Sequence, residues 1–185
     1  MKALTAAVAL AVALASSGCL VLALHPAYDD AGLTWDPALL GTWYDSDDRV
    51  TVTIEQGEWR SYKIAYEHPI EKGVLTGYLT SVGDVYFLDV SPVRGQDYGS
   101  FLLPVHAVLR VERGPDKITV QALDYDRFAT AAKQGGLVGL SATLDQKQNA
   151  LITASTTALR KWLRQPNLEA WFGAGAVFTR KGGNE

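Results

Sequence analysis

From Thr42 to Leu123 the chain is a succession of short runs in which apolar residues return at every second position. Arg49 to Glu55 sets Val50, Val52 and Ile54 against Thr51 and Thr53, and Trp59 to Tyr66 puts Tyr62, Ile64 and Tyr66 on one face. Thr42 to Asp45, Val74 to Thr80, Val85 to Val90, Phe101 to Glu112 and Lys117 to Leu123 continue the series. Gln56-Gly57, His68-Pro69 to Gly73, Gly83-Asp84 and Arg113-Gly114-Pro115-Asp116 supply the turns. A period of two sends successive side chains to opposite faces of a strand. Connections this short join antiparallel neighbours. The expectation is a mainly β (α+β) fold, an antiparallel meander forming a barrel or half-barrel of about eight strands.

The period changes after Leu123. Tyr125, Phe128, Ala129 and Ala132 recur at helical spacing, with Asp124 as N-cap and Gly135-Gly136 as the stop. Leu151 to Ala154 reads as a short strand. Ser155 then opens a second helix with Ala158, Leu159, Trp162 and Leu163 on its apolar face, ended by Pro166. Ala176 to Arg180 is the final strand. Two short helices therefore complete a single β-rich domain over residues 35–181, with 182–185 as a tail.

The segment Asp36-Pro37-Ala38-Leu39-Leu40-Gly41-Thr42-Trp43-Tyr44 resembles the first signature of lipocalins, a short helical turn followed by G-x-W at the start of the first barrel strand. That resemblance implies that Gly41 permits a tight turn and that Trp43 plugs the closed end of a barrel. Leu123-Asp124-Tyr125-Asp126 is similar to the second signature, with Leu in place of Thr, and the helix from Ser155 stands where lipocalins carry a packing helix. No arginine can be assigned from the sequence to the third signature.

The first residues carry an address. Lys2 is the only charge before Asp29, and Ala3 to Ala15 is Ala, Leu and Val with a single Thr5. Small residues follow, so residues 1–18 read as a secretory signal peptide. Ser16-Ser17-Gly18-Cys19 resembles the lipobox of bacterial lipoproteins. The resemblance implies cleavage before Cys19, diacylglycerol on its thiol and acylation, palmitate for example, of the new amine. Several acyl chains anchor a protein stably where one does not. Leu20, rather than Asp, after the cysteine implies by the same resemblance an outer-membrane anchor facing the periplasm. Ala3 to Leu24 is also long enough to span a bilayer uncleaved, against which stand Ser16-Ser17-Gly18 in its middle and the lack of a following Lys or Arg. Residues 19–34 are expected to be the lipidated cysteine and a linker.

Composition narrows the function. Seventeen basic against 20 acidic residues give a net charge of −3, which argues against a nucleic-acid partner. One cysteine leaves no internal disulfide and no multi-thiolate zinc site. His25, His68 and His106 have no partner at metal-ligand spacing, and no cofactor is expected. Asp45-Ser46-Asp47-Asp48 lacks the Gly and Glu of a calcium loop, where Val50 and Gln56 stand, and reads as a polar hairpin. Asp124 and Asp126 suit a helix N-terminus. Neither a nucleophile elbow nor a phosphate-binding glycine loop is found.

What remains is an aromatic series. Aromatic residues fill strand cores, and they also line apolar pockets, with hydroxyls to orient a ligand. Trp43, Tyr62, Tyr66, Tyr78 and His106 are the candidate ligand-binding residues and Cys19 the candidate lipidation site, with no catalytic residue assigned. The expected function is that of a membrane-anchored extracytoplasmic lipoprotein binding a small apolar or amphipathic molecule. The alternatives are an envelope assembly or scaffold lipoprotein whose strand edges bind a partner protein, and a periplasmic hydrolase using His106 and a nearby Asp. Enzyme activity is not the expectation.

Overall fold

A computed structural model describes residues 20–93 and 104–182. The signal segment 1–18, Cys19, the start of the run expected from Phe101 and most of the tail lie outside the described residues. Two short strands come first, β1 (Val21–Ala23) and β2 (Leu33–Thr34). A 3-10 turn at Pro37–Leu39 leads into β3 (Gly41–Asp45), β4 (Val50–Gln56), β5 (Ser61–His68), β6 (Glu71–Val82), β7 (Val85–Pro92), β8 (His106–Arg113) and β9 (Lys117–Gln121). Helix α1 (Tyr125–Gln134), strands β10 (Ala142–Leu144) and β11 (Ala150–Ile152), helix α2 (Thr156–Trp162), a second 3-10 turn and β12 (Ala176–Arg180) follow.

Each of β3 to β9 pairs antiparallel with the next. The last strand, β12, pairs antiparallel with both β9 and β3, which closes an eight-strand barrel. Closure satisfies both backbone edges of every barrel strand. The helix boundaries have local causes. Asp124 Oδ1 accepts from the Arg127 N–H at 2.9 Å at the start of α1, and Gly135 ends it at φ 69°, where a side chain would be strained.

Alternation along the strands creates two apolar clusters. Trp43, Ile54, Tyr62, Ile64, Leu79 and Leu88 point into the barrel. Val82, Phe87 and Val108 point outward, where Phe128, Leu159, Trp162 and Phe172 from the helical segments cover them. Strand β7 is therefore buried on both faces from Phe87 to Val90, which is why its sequence alternates so weakly.

Residues 20–34 correct an expectation. They are not a linker but part of the fold. Strand β1 lies between β8, antiparallel to it, and β11, parallel to it. Leu33 pairs with Thr80, and Ala27 is fully buried. The cause is the apolar run after the cysteine. Its alternate residues serve both clusters, Leu20 and Leu22 the barrel interior and Val21 and Ala23 the outer layer.

Candidate functional site

One end of the barrel is sealed. Asp36 caps the 3-10 turn, accepting from the Ala38 N–H at 2.9 Å, and the turn lies across the barrel beneath Trp43. The Trp43 indole donates to the Leu39 carbonyl at 2.9 Å. The Arg180 guanidinium sits 4.2 Å from the centre of the Trp43 ring and donates to the carbonyls of Leu40 and Ala38 at 2.8 and 2.7 Å. Gly41 has φ 126°, and a Cβ there would lie 2.7 Å from Arg180 Nη1, so the strand start accepts only glycine. Trp35 stacks on Tyr62 at 4.5 Å, while Arg113 pairs with Asp36 and covers Tyr86 at 3.8 Å.

The other half of the barrel is hollow. A cavity of about 120 Å³ lies between β4 (Val50, Val52, Ile54), β5 (Ile64, Tyr66), β6 (Leu75), β7 (Leu88, Val90), β8 (Ala107, Leu109), β9 (Ile118, Val120) and β12 (Phe178), with Leu20 completing the wall. The reason is side-chain volume. Inward positions at the sealed end carry Trp and Tyr, whereas those around the cavity are mostly Val, Leu and Ile, with one Ala. For scale, an enclosed apolar cavity of about 150 Å³ in another protein takes up benzene.

Polar groups gather at the hairpin end of the cavity. Asp45 and Asp48, from the β3–β4 hairpin, line it. Asp45 is 5% exposed, and its Oδ1 accepts from the Asp47 N–H at 2.9 Å. Burial holds the Asp48 carboxyl above its ordinary pKa, and the charges of Asp45 and Asp47 add to this against an opposing effect of His68. Burial, followed by the Glu71 carboxylate, raises the Tyr66 hydroxyl. Glu71 occupies the same face of β6 as Leu75, and its Oε1 is buried without a hydrogen-bond partner.

Of the five expected ligand-binding residues, the fold brings only Tyr66 to the cavity. Trp43 and Tyr62 face the interior but belong to the seal. Tyr78 and His106 face outward, because alternation on β6 and β8 sends Leu79 and Ala107 inward instead. They join a polar clasp over the N-terminal segment. His106 Nδ1 lies 2.7 Å from Asp89 Oδ1, and Asp89 Oδ2 accepts from the Ala27 N–H at 2.7 Å. Tyr28 packs on Tyr78 at 4.4 Å; burial, then Tyr78, Asp89 and Asp30, push its hydroxyl up to about 12. Arg160 of α2 donates to the Ala27 carbonyl at 2.8 Å, to Thr80 Oγ1 and the Ser81 carbonyl at 3.0 Å, and pairs with Asp29 at 2.9 Å. Both carboxylate oxygens of Asp89 are thus engaged, Oδ2 with the segment and Oδ1 with His106 of β8.

Sequence reasoning missed the aliphatic wall, Leu20 and the rim carboxylates. Period alone shows which residues face inward, but not which of those leave space. No protein-family model matches the chain, and neither a curated protein nor a solved structure resembles it significantly.

Proposed function

We propose that the protein is an extracytoplasmic lipoprotein, anchored through Cys19 to the outer membrane facing the periplasm, whose lipocalin-like barrel binds one small apolar or amphipathic molecule. The observation that carries the binding reading is the cavity: an apolar space inside a closed barrel, with polar side chains only at one end. Pockets of this kind bind by apolar burial and orient the ligand with a few polar groups. The placement of Leu20 supports the anchor. It is one residue after Cys19 and already part of the cavity wall, so acyl chains on the thiol would hold the cavity within a chain step of the bilayer.

The scaffold reading has less support. Among the described residues each barrel strand has a paired neighbour on both sides, and the outermost strand of the sheet, β10, is only three residues long. Benzyl alcohol tests the binding reading, since a ligand taken up by the folded state raises the melting temperature. Ala107→Phe, which fills the cavity, should abolish that rise while the protein stays folded. A rise that survives Ala107→Phe would place binding elsewhere, and none in the wild type would end the reading. Labelled palmitate should enter the wild type and not Cys19→Ala. Label in the mutant would refute the anchor.

A further inference from the structure

The hollow half of the barrel is blind at one end and open at the other. On β4 the inward residues pass from half-buried Val50 and Val52, near the hairpin end, to buried Ile54. Strand β5 runs the other way, with Ile64 buried and Tyr66 half-buried, and on β6 Leu75 is half-buried where Leu79 is buried. The floor lies over Gly77, an inward position of β6 opposite Tyr62. A Cβ there would stand 2.6 Å from Ile64 Cδ1 and 3.3 Å from Leu88 Cδ1, so these two side chains close over the glycine. Beyond them Trp43, Tyr62 and Leu79 are completely shielded. The wall offers almost nothing polar. Tyr66 and the hairpin residues Asp45 and Asp48 stand at the mouth, and the remaining lining is aliphatic apart from Phe178. The strand backbones around it are paired in their ladders. A hydroxyl or a charge carried inside would therefore be buried without a partner.

Resting on the reading of the cavity as a binding site, we infer that it holds the methyl end of an alkyl chain, about five carbons deep, while the polar remainder of the ligand stays outside the barrel. The depth follows from volume. A cavity of about 150 Å³ takes up benzene, with its six carbons, so a space of about 120 Å³ holds about five. Aliphatic walls give such a chain dispersion contact on all sides. A blind floor makes the end of the chain, and not its head, the part that is recognised. The ligand class is thus amphiphiles with an unsubstituted hydrocarbon end, whatever their length beyond the mouth.

Uncharged probes test this: the straight-chain alcohols from n-propanol to n-octanol, titrated into the folded protein and followed at the Val52 and Leu88 methyl resonances. Affinity is expected to rise about fourfold per added carbon as far as about n-pentanol, and then to level off. Pentane with a hydroxyl at each end should bind about tenfold more weakly than n-pentanol, because one hydroxyl must enter the wall. Octyl glucoside below its micelle concentration, whose sugar is too large for the cavity, should still displace n-pentanol. Ile64→Val removes the Cδ1 methyl over Gly77 and should move the break one carbon longer. A steady rise through n-octanol, a doubly hydroxylated chain that binds as well as n-pentanol, a break that Ile64→Val leaves in place, or octyl glucoside that displaces nothing would overturn the inference, while binding of benzyl alcohol would keep the cavity reading. Failure of every alcohol, benzyl alcohol included, overturns both.

Discussion

The two ends of the barrel are built from the same eight strands and the same alternation, yet they differ in kind. At the sealed end Trp43 is completely buried and held by two groups, the Leu39 carbonyl and the Arg180 guanidinium, and the Trp35–Tyr62 stack closes the remaining space. At the hairpin end the inward residues are mostly aliphatic and leave a space between them, with Asp45 and Asp48 at its edge. Of the aromatic residues that most suggested a ligand, all but Tyr66 lie away from the cavity, and the residues that make room for one are mostly ordinary valines, leucines and isoleucines. In a small barrel, residue volume along the axis decides which end can bind.

The largest expected effect is at the seal. Trp43→Ala should destabilise the protein by about 3–5 kcal/mol, from lost burial and an unfilled cavity, measured by urea unfolding. A loss as small as that of an exposed substitution would show that the seal does not hold the barrel together.

A second prediction divides the ends by titration. Burial raises both Tyr62 and Tyr66 above the ordinary tyrosine value. A hydroxyl with a raised folded pKa contributes stability that is complete below the unfolded value near 10 and is lost as the pH rises through the folded value. Stability should therefore decline above about pH 10, and Tyr62→Phe and Tyr66→Phe should each flatten the decline. Bound benzyl alcohol should displace the absorbance titration assigned to Tyr66 and leave that of Tyr62 in place. Equal displacement of both would blur the division between the ends.

Much of this was legible in the sequence. The strand runs, both helix caps at Asp124 and Ser155 and the final strand Ala176–Arg180 follow from period and turn chemistry, since these are local properties. Partnerships set by long-range register were not. His106 meets Asp89 only because β7 and β8 pair with Asp89 opposite Val108. Arg180 reaches Trp43 only because the last strand returns to β3, the first strand of the barrel. Asp45 and Asp48 read as a solvated hairpin, and nothing in their spacing shows that the hairpin ends over a hollow. Leu20 to Leu24 looked like the tail of a membrane-directed segment because a buried strand and an anchor share the same composition.

The smallest effect expected is at the rim. Asp48 has a folded pKa above its unfolded value, so its contribution favours the fold when protonated, is complete below the unfolded value and is lost as the pH rises through the folded one. Asp48→Asn should accordingly raise the melting temperature slightly at pH 7 and leave it unchanged near pH 3. A fall at pH 7 would mean that the ionised carboxylate supports the fold.

The most direct test of the hollow end is a methyl-resolved NMR titration with benzyl alcohol. Methyl resonances of Val52, Ile54, Leu75, Leu88 and Val90 should shift together and saturate at one concentration, while those of Leu39 and Leu159 stay fixed. Shifts confined to surface methyls such as those of Val138, or spread evenly over both ends of the barrel, would contradict a binding cavity in its hairpin half.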